Sequence, residues 1–188
     1  MAGEVRHRLF VALEVGEPAR AVLANAVAPL RAEHPWLRWT DPESWHVTLA
    51  FVGSVVEQRG RVVDRAAAEA AEGRPPLPVR FDGRAGTFGG SVFFASIVEE
   101  PSLTGLARDL SARLRKAGFE VDQREFVAHC TLARVPRGSR LPSRLLGGYA
   151  WPAVTWTARR LVVYRSRLRV GGVTHEERSS HPFDGANG

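Results

Sequence analysis

A five-residue segment occurs twice in this chain of 188 residues and limits the possible folds more than any other feature. Residues 46–50 read HVTLA and residues 129–133 read HCTLA, so the copies differ at one position. Nearly half the chain separates them, which exceeds the roughly 20–50 residues typical of a solenoid repeat. The spacing instead predicts two similar halves of one fold, each contributing one copy. A duplication with only a structural role is the alternative.

Each copy lies in a segment whose alternating pattern predicts a β-strand. Because successive side chains of a strand point to opposite faces, His46 and Thr48 share one face, as do His129 and Thr131. Two such strands beside a common groove would present two imidazoles and two hydroxyls to one ligand.

These groups suit the hydrolysis of a phosphodiester. In-line displacement at phosphorus needs a base on the attacking water and an acid on the leaving oxygen, and histidine serves both roles because its pKa lies near 6.5. Thr48 and Thr131 could donate hydrogen bonds to the non-bridging oxygens, and Arg134 could stabilise the developing charge. Strict alternation places Arg134 on the wrong face, so it reaches the groove only if the strand bends or its side chain curls over the edge.

Other interpretations of the motif residues are weaker. A two-histidine metal site lacks a third ligand with a recognised spacing, so we expect neither a metal nor another cofactor. Cys130 could be a nucleophile beside His129, but neighbouring strand residues face opposite ways, which favours a buried core residue. The remaining histidines lack such a frame and are expected at the surface: His7, His34, His175 and His181.

Composition and charge set the broad class of protein. The chain carries 26 Lys and Arg against 20 Asp and Glu, a formal net charge of +6, and Lys116 is its only lysine. The arginine excess favours an anionic partner, because arginine binds phosphate in a bidentate manner, but a GC-rich genome would produce the same composition. No signal peptide and no apolar run of about 20 residues occurs, so we expect a cytoplasmic protein without a membrane partner.

The remaining pattern predicts an α+β fold with mainly antiparallel strands. Strands are predicted at 8–15, 36–40, 45–53, 78–82, 91–98, 125–135 and 154–166, and helices at 17–30, 57–72 and 101–117. Residues 136–149 form a basic loop that is either solvated or in contact with an RNA backbone. The tail 184–188 is expected to be disordered.

At its paired motifs the sequence resembles the 2H phosphoesterase superfamily, which is defined by two H-x-[ST] motifs. Within it, the chain is most similar to the bacterial and archaeal RNA 2′,3′-cyclic phosphodiesterases, historically called 2′-5′ RNA ligases. The segments RLFVALEV (8–15) and LVVYRSRL (161–168) extend the similarity. The resemblance implies one bilobal domain over 1–188, with one motif per lobe (46–48 and 129–131). It further implies a pseudo-twofold duplication, with two antiparallel sheets beside a central groove and helices packed outside.

The resemblance also implies an activity and the roles of residues. The substrate would be RNA with a 2′,3′-cyclic phosphate end, such as a tRNA fragment, and the product a 2′-phosphomonoester. His46 would be the general acid and His129 the general base, with Thr48 and Thr131 holding the phosphate. Arg134 matches the arginine that commonly closes the second motif. His175 stands about where relatives often carry a tyrosine.

Two alternatives to hydrolysis remain open. Ligation would run the same chemistry backwards, with an RNA hydroxyl in place of water. A non-catalytic RNA-binding module could use the same groove, with Phe51, and also Trp39 or Trp151, stacking on a base. We place hydrolysis first because both motifs are intact and water is abundant, and we expect a monomer.

Overall fold

The residues that the structure describes, 5–122, 124–169 and 172–186, form nine strands and four α-helices in this computed structural model. The strands are β1 (Arg6–Glu14), β2 (Arg38–Trp39), β3 (His46–Val56), β4 (Leu77–Phe88), β5 (Val92–Ile97), β6 (His129–Arg134), β7 (Thr155–Ala158), β8 (Arg160–Arg169) and β9 (Gly172–Pro182). The helices are α1 (Ala19–Glu33), α2 (Glu57–Ala71), α3 (Pro101–Lys116) and α4 (Arg144–Gly147). The predicted α+β class is confirmed.

The strands form one antiparallel sheet in the order β7-β4-β5-β6-β3-β1-β8-β9, and β2 pairs with β6 away from this path. The motif strands β3 and β6 are neighbours at the centre, where Val47 pairs with Cys130. The family resemblance implies two sheets, whereas the structure has one sheet in which, apart from β2, two halves of four strands each meet at this pair. The junction gives the inner edges of both motif strands a partner, which two separate sheets would leave open.

Each motif strand has the same neighbours in its half of the sheet. β1 leads through α1 to β3, which pairs back onto β1, and β5 leads through α3 to β6, which pairs back onto β5. A further strand covers the other side of β1 and of β5, namely β8 and β4. The two histidines therefore begin equivalent strands on either side of the junction.

The helices cover one face of the sheet and leave the histidines on the other. In α3, Leu103, Leu106, Leu110 and Leu114 recur at helical spacing and are at most 1% exposed. They join one hydrophobic core with the alternate residues Leu9, Val11 and Leu13 of β1. Phe10 and Ala12 are also buried but lie outside that core cluster. Both faces of β1 are therefore covered, and the face carrying Phe10 is the one that the histidines share.

The largest departure from the predicted elements is β9. Its sequence is rich in Thr, Glu, Arg, Ser and His, so it lacks the apolar alternation that indicates a strand. Pairing along β8 and cross-strand ion pairs such as Arg167–Glu176 hold it in place. Two smaller differences are that β4 continues to Phe88 through the predicted glycine-rich turn, and that β6 begins only at His129.

The basic loop and the tail are both anchored where the structure describes them. In the loop, Leu145 is 1% exposed and the hydroxyl of Tyr149 donates a hydrogen bond to the carbonyl of Ala26 in α1. Asp184 and Gly185 differ from the expected disorder, because Asp184 accepts a hydrogen bond from the amide of Gly73 and the amide of Gly185 donates one to the carbonyl of Arg74. Residues 187 and 188 lie outside the described residues. None of the helices described here is long and apolar enough to cross a membrane.

Candidate active site

The register between the motif strands brings both histidines to one face. Val47 and Cys130 pair directly and are fully buried on the core side. Their neighbours His46, Thr48, His129 and Thr131 therefore point to the opposite face, since side chains alternate along a strand. The structure thus brings together the four motif side chains that the sequence pattern grouped.

A β-bulge follows each motif at the same position. In the first copy, Val11 lies opposite Ala50 but Ala12 lies opposite Thr48, so Leu49 is an extra residue. In the second copy, Phe93 lies opposite Ala133 but Phe94 lies opposite Thr131, so Leu132 is the equivalent extra residue. A bulge shifts the alternation of the side chains that follow it.

These bulges turn one further residue of each copy toward the histidines. Phe51 lies opposite Phe10, whose ring contacts His46, and Arg134 stands in the equivalent position after His129. The conflict between strict alternation and a role for Arg134 is therefore resolved, because the strand bends at Leu132. Phe51 is 53% exposed beside Phe10, with ring centroids 5.9 Å apart.

Both imidazoles are held by the same hydrogen bond. Nδ1 of His46 lies 2.7 Å from the carbonyl oxygen of Ser44, and Nδ1 of His129 lies 2.7 Å from that of Val127. Because a carbonyl only accepts, each Nδ1 carries the proton and donates. The reactive nitrogen of each ring is consequently Nε2, which accepts a proton when the ring is neutral and donates one when it is charged.

Burial favours the neutral form of both rings in the free protein. Burial lowers the pKa of His46 to about 4, against the raising effect of the Ser44 carbonyl, and positive charge on His175 and His129 lowers it further. Burial also lowers the pKa of His129 below its usual value. The effect of His129 on His46 places the two rings within electrostatic reach of each other. An anion bound between them would raise both pKa values.

Aromatic rings surround each histidine. The ring centroids of Phe10 and His46 are 4.9 Å apart, and those of Phe88 and His129 are 4.8 Å apart. Phe94 of the neighbouring strand β5 packs against His129. Gly86 of β4 lies opposite Phe94, and a Cβ at Gly86 would lie only 2.5 Å from the Phe94 ring. Glycine at that position therefore leaves room for the ring that fixes His129. Phe88 is 37% exposed, and its place in a predicted glycine-rich turn gives no indication of this contact.

The other two candidates for stacking on a base, Trp39 and Trp151, pack in or against the core. Trp151 is 7% exposed and belongs to the core, which corrects its interpretation as a stacking residue. Trp39 is half-buried, packs against the core, and donates its indole N–H to the carbonyl of His34. Phe51 is the stacking candidate that the structure leaves accessible.

A third histidine joins the site, contrary to the expectation that it lies at the surface. His175 is half-buried, and its ring meets that of His46 edge-on with centroids 5.3 Å apart. No local sequence pattern indicates this contact, because β9 was not predicted. His34 is likewise buried, at 7% exposure, but it lies beside α4 and contacts Arg144.

Glu14 and its partners close the outer side of the His46 strand. Glu14 lies opposite His46 in the register, and its carboxylate is 2.8 Å from the guanidinium of Arg160. The hydroxyl of Tyr164 donates to the same carboxylate, at 3.0 Å. Burial, and then the charge of Glu14, raises the pKa of Tyr164, so the phenol stays protonated and serves as a donor. Among the described residues, no group of three or more His, Cys, Asp or Glu could hold a metal ion.

Replacing Cys130 by alanine is expected to leave turnover unchanged, because the thiol faces the core and not His129. Cys130 is 0% exposed, and burial raises the pKa of its thiol. Iodoacetamide treatment of the native protein is therefore also expected to leave activity intact. Loss of activity in Cys130→Ala, with unchanged thermal unfolding, would indicate a nucleophilic thiol.

The chain is similar to proteins with a named activity. A family model described as the 2′-5′ RNA ligase superfamily matches residues 18–169. An RNA 2′,3′-cyclic phosphodiesterase of Archaeoglobus fulgidus is 33% identical over 135 residues, which cover 69% of this chain and 73% of the relative. One of Geobacillus stearothermophilus is 26% identical over 168 residues, or 87% of this chain, but the match spans only 53% of that relative.

Solved structures show the same fold. The protein TT0787 of Thermus thermophilus superposes with a TM-score of 0.82 at 23% identity, covering 96% of this chain and all of that one. LigT of E. coli, solved with 3′-AMP, gives a TM-score of 0.74 at 21% identity and covers 96% of this chain and 99% of its own. At these identities the likeness concerns the fold alone.

Proposed function

The chain belongs to the 2′-5′ RNA ligase superfamily, and from this premise we propose that it hydrolyses RNA 2′,3′-cyclic phosphate ends to 2′-phosphomonoesters. The relatives that carry the name RNA 2′,3′-cyclic phosphodiesterase support an enzyme of this class. The substrate in the cell would be a processed RNA end such as a tRNA fragment. The protein would act in the cytoplasm as a monomer and without a metal.

One observation carries the proposal: two imidazoles on equivalent strands are oriented by the same Nδ1-to-carbonyl hydrogen bond. This leaves two Nε2 atoms for one ligand on a single face of the sheet. Cleavage at phosphorus needs such a pair, because one group must accept a proton while the other donates one. A single surface histidine would not meet this requirement.

In the proposed reaction, His46 is the general acid and His129 the general base. Nε2 of His129 takes a proton from water as the water oxygen bonds to phosphorus. The bond between phosphorus and the 3′ oxygen breaks, and that oxygen receives the proton from Nε2 of His46. The 2′ oxygen keeps the phosphate.

These roles demand that the substrate change the protonation of the pair. In the free protein, His46 has the pKa of about 4 and would be neutral. The bound phosphate must therefore raise the pKa of His46 above that of His129 by lying closer to it. A shift in this direction follows from the attraction between an imidazolium and an anion.

The proposed phosphate contacts come from the remaining motif residues. Thr48 and Thr131 would donate their hydroxyls to the non-bridging oxygens, and Arg134, brought to the histidine face by the bulge, would balance the charge that builds up on them. Phe51 would stack on the terminal base. The matching bulges at Leu49 and Leu132 also support a pseudo-twofold duplication of two lobes within one domain.

The deciding experiment is incubation with an oligoribonucleotide that ends in a 2′,3′-cyclic phosphate. We expect a 2′-phosphate product, identified by its resistance to enzymes specific for 3′-phosphates, and we expect the rate to persist in EDTA. The matched control is the same oligonucleotide with a 2′-phosphate end already formed. Tight binding without cleavage would point to an RNA-binding module. A rate that EDTA abolishes and added metal restores would contradict the metal-independent mechanism.

A further inference from the structure

His175 stands in the proposed site without a role in the two-histidine reaction. Its ring lies edge-on to His46 and, with a centroid separation of 4.9 Å, edge-on to Phe10. Packing against these two rings fixes its position on the histidine face. A half-buried imidazole in such contact with another imidazole is costly when both are charged, so an anion nearby would relieve the repulsion.

The hydrogen bonding of His175 differs from that of the other two histidines. Its Nδ1 has only a long contact, 3.4 Å, with the hydroxyl of Ser166. No backbone carbonyl accepts a hydrogen bond from this ring within the described part of the chain. Since a hydroxyl both donates and accepts, the tautomer of His175 is not fixed. The His175 ring can therefore donate a hydrogen bond to a ligand from either Nδ1 or Nε2, once the Ser166 hydroxyl has rotated accordingly.

The charge of Arg134 acts on His175. Burial lowers the pKa of His175, and the charge of Arg134 lowers it further, which sets the two groups within electrostatic reach. Arg134 is exposed, and no carboxylate in the described ranges forms an ion pair with it. An arginine without a carboxylate partner, near an imidazole that becomes cationic on protonation, forms a site suited to an anion.

The other charged groups on this face do not supply that counter-ion. The carboxylates of Glu14 and Glu177 are both bound to Arg160, at 2.8 and 3.0 Å. The hydroxyl of Tyr164 donates its hydrogen bond to Glu14. Ser166 of β8 pairs with Arg8 of β1 on one side and with His175 of β9 on the other. Arg8 is therefore a further cation at the same level of the sheet as His175. His46 and His129 add charge only when they are protonated.

We propose that His175 is a third phosphate-binding histidine of this site and acts with Arg134 on the oxygens of the RNA terminal phosphate. This rests on the proposed function for the identity of the phosphate, but the anion site itself does not. Binding of an anion draws a proton onto His175, because the negative charge offsets the burial and the charge of Arg134 that disfavour the imidazolium. Affinity therefore falls as the pH rises through the pKa of His175 in the complex.

Sulfate is the probe for this site, since it is a tetrahedral dianion that does not itself titrate near neutral pH. We expect wild-type protein to take up more protons on binding sulfate than His175→Asn, as measured by calorimetry in buffers of different ionisation enthalpy. The variant should also bind sulfate about tenfold more weakly, the loss of one hydrogen bond to a charged group. For the cyclic-phosphate substrate, KM should rise while kcat changes little.

Two further variants make the result specific. His175→Phe keeps a ring against Phe10 and His46 but cannot carry a proton, so it should lose sulfate affinity while retaining the fold. His181→Asn removes a histidine from the same strand, outside the site, and should behave as the wild type.

The possible outcomes separate this inference from the proposed function. Wild-type sulfate affinity and proton uptake in both His175 variants would overturn the inference even if the protein hydrolyses cyclic phosphate, as would the absence of any sulfate binding by the wild type. A protein that lacks hydrolysis but binds sulfate through His175 would overturn the proposed function and support the anion site.

Discussion

Replacing His129 with alanine is expected to lower kcat on a 2′,3′-cyclic phosphate end by about 10²–10⁴-fold, the contribution typical of a positioned acid or base. The loss should appear in kcat more than in KM, because Thr131, Arg134 and His175 remain to hold the phosphate. His46→Ala is expected to lose activity to a similar extent. Rates are measured at substrate saturation with the cyclic-phosphate oligonucleotide.

The double variant is the internal check on this prediction. If both histidines act on the same displacement, removing the second should cost much less than removing the first, since residues that act as a unit are not additive. His181→Ala provides a control for loss of a histidine elsewhere on the sheet. Activity that survives in both single variants, with thermal unfolding unchanged, would contradict the proposed mechanism.

The site could be predicted from sequence as far as local alternation reaches. The repeated five-residue segment predicts that His46 shares a face with Thr48, and His129 with Thr131. The register across the junction puts all four on one face of the sheet. What alternation alone could not supply was the position of Arg134. A bulge adds a residue to one strand only, and its place depends on the partner strand, here β5. The repeated leucine of each motif marks the bulge only once the pairing is known.

The remaining part of the site depends on contacts far apart in sequence. β9 has little apolar character, so its strand identity comes from pairing with β8 and from ion pairs that no local pattern encodes. The resemblance singles out His175 as standing where relatives often carry a tyrosine, but no local pattern indicates its proximity to His46. The same holds for Phe88, which lies in a glycine-rich segment typical of a turn although it packs against His129. Local patterns encode the core and the motifs of this chain, whereas the rim of the site depends on how its outer strands pair.

The roles of the two histidines can be separated by changing the leaving atom. In a cyclic substrate that has sulfur in place of the 3′ oxygen, the departing group is a thiolate. Thiols are far more acidic than sugar hydroxyls, with a pKa of about 8.5 for cysteine, so the thiolate departs without a proton and general-acid catalysis has little to contribute. Deprotonation of the attacking water is still required.

We therefore expect the defect of His46→Ala to shrink from about 10²–10⁴-fold on the oxygen substrate to less than about tenfold on the sulfur substrate. The defect of His129→Ala should be the same on both substrates, because its role lies on the water side. Release of the thiol is followed with a disulfide reagent, and the comparison within each variant cancels any change in folding. If the sulfur substrate instead reduced the defect of His129→Ala and not that of His46→Ala, His129 would be the general acid and His46 the general base. That result would fit the free protein, in which burial lowers the pKa of His46 to about 4 and favours its neutral form.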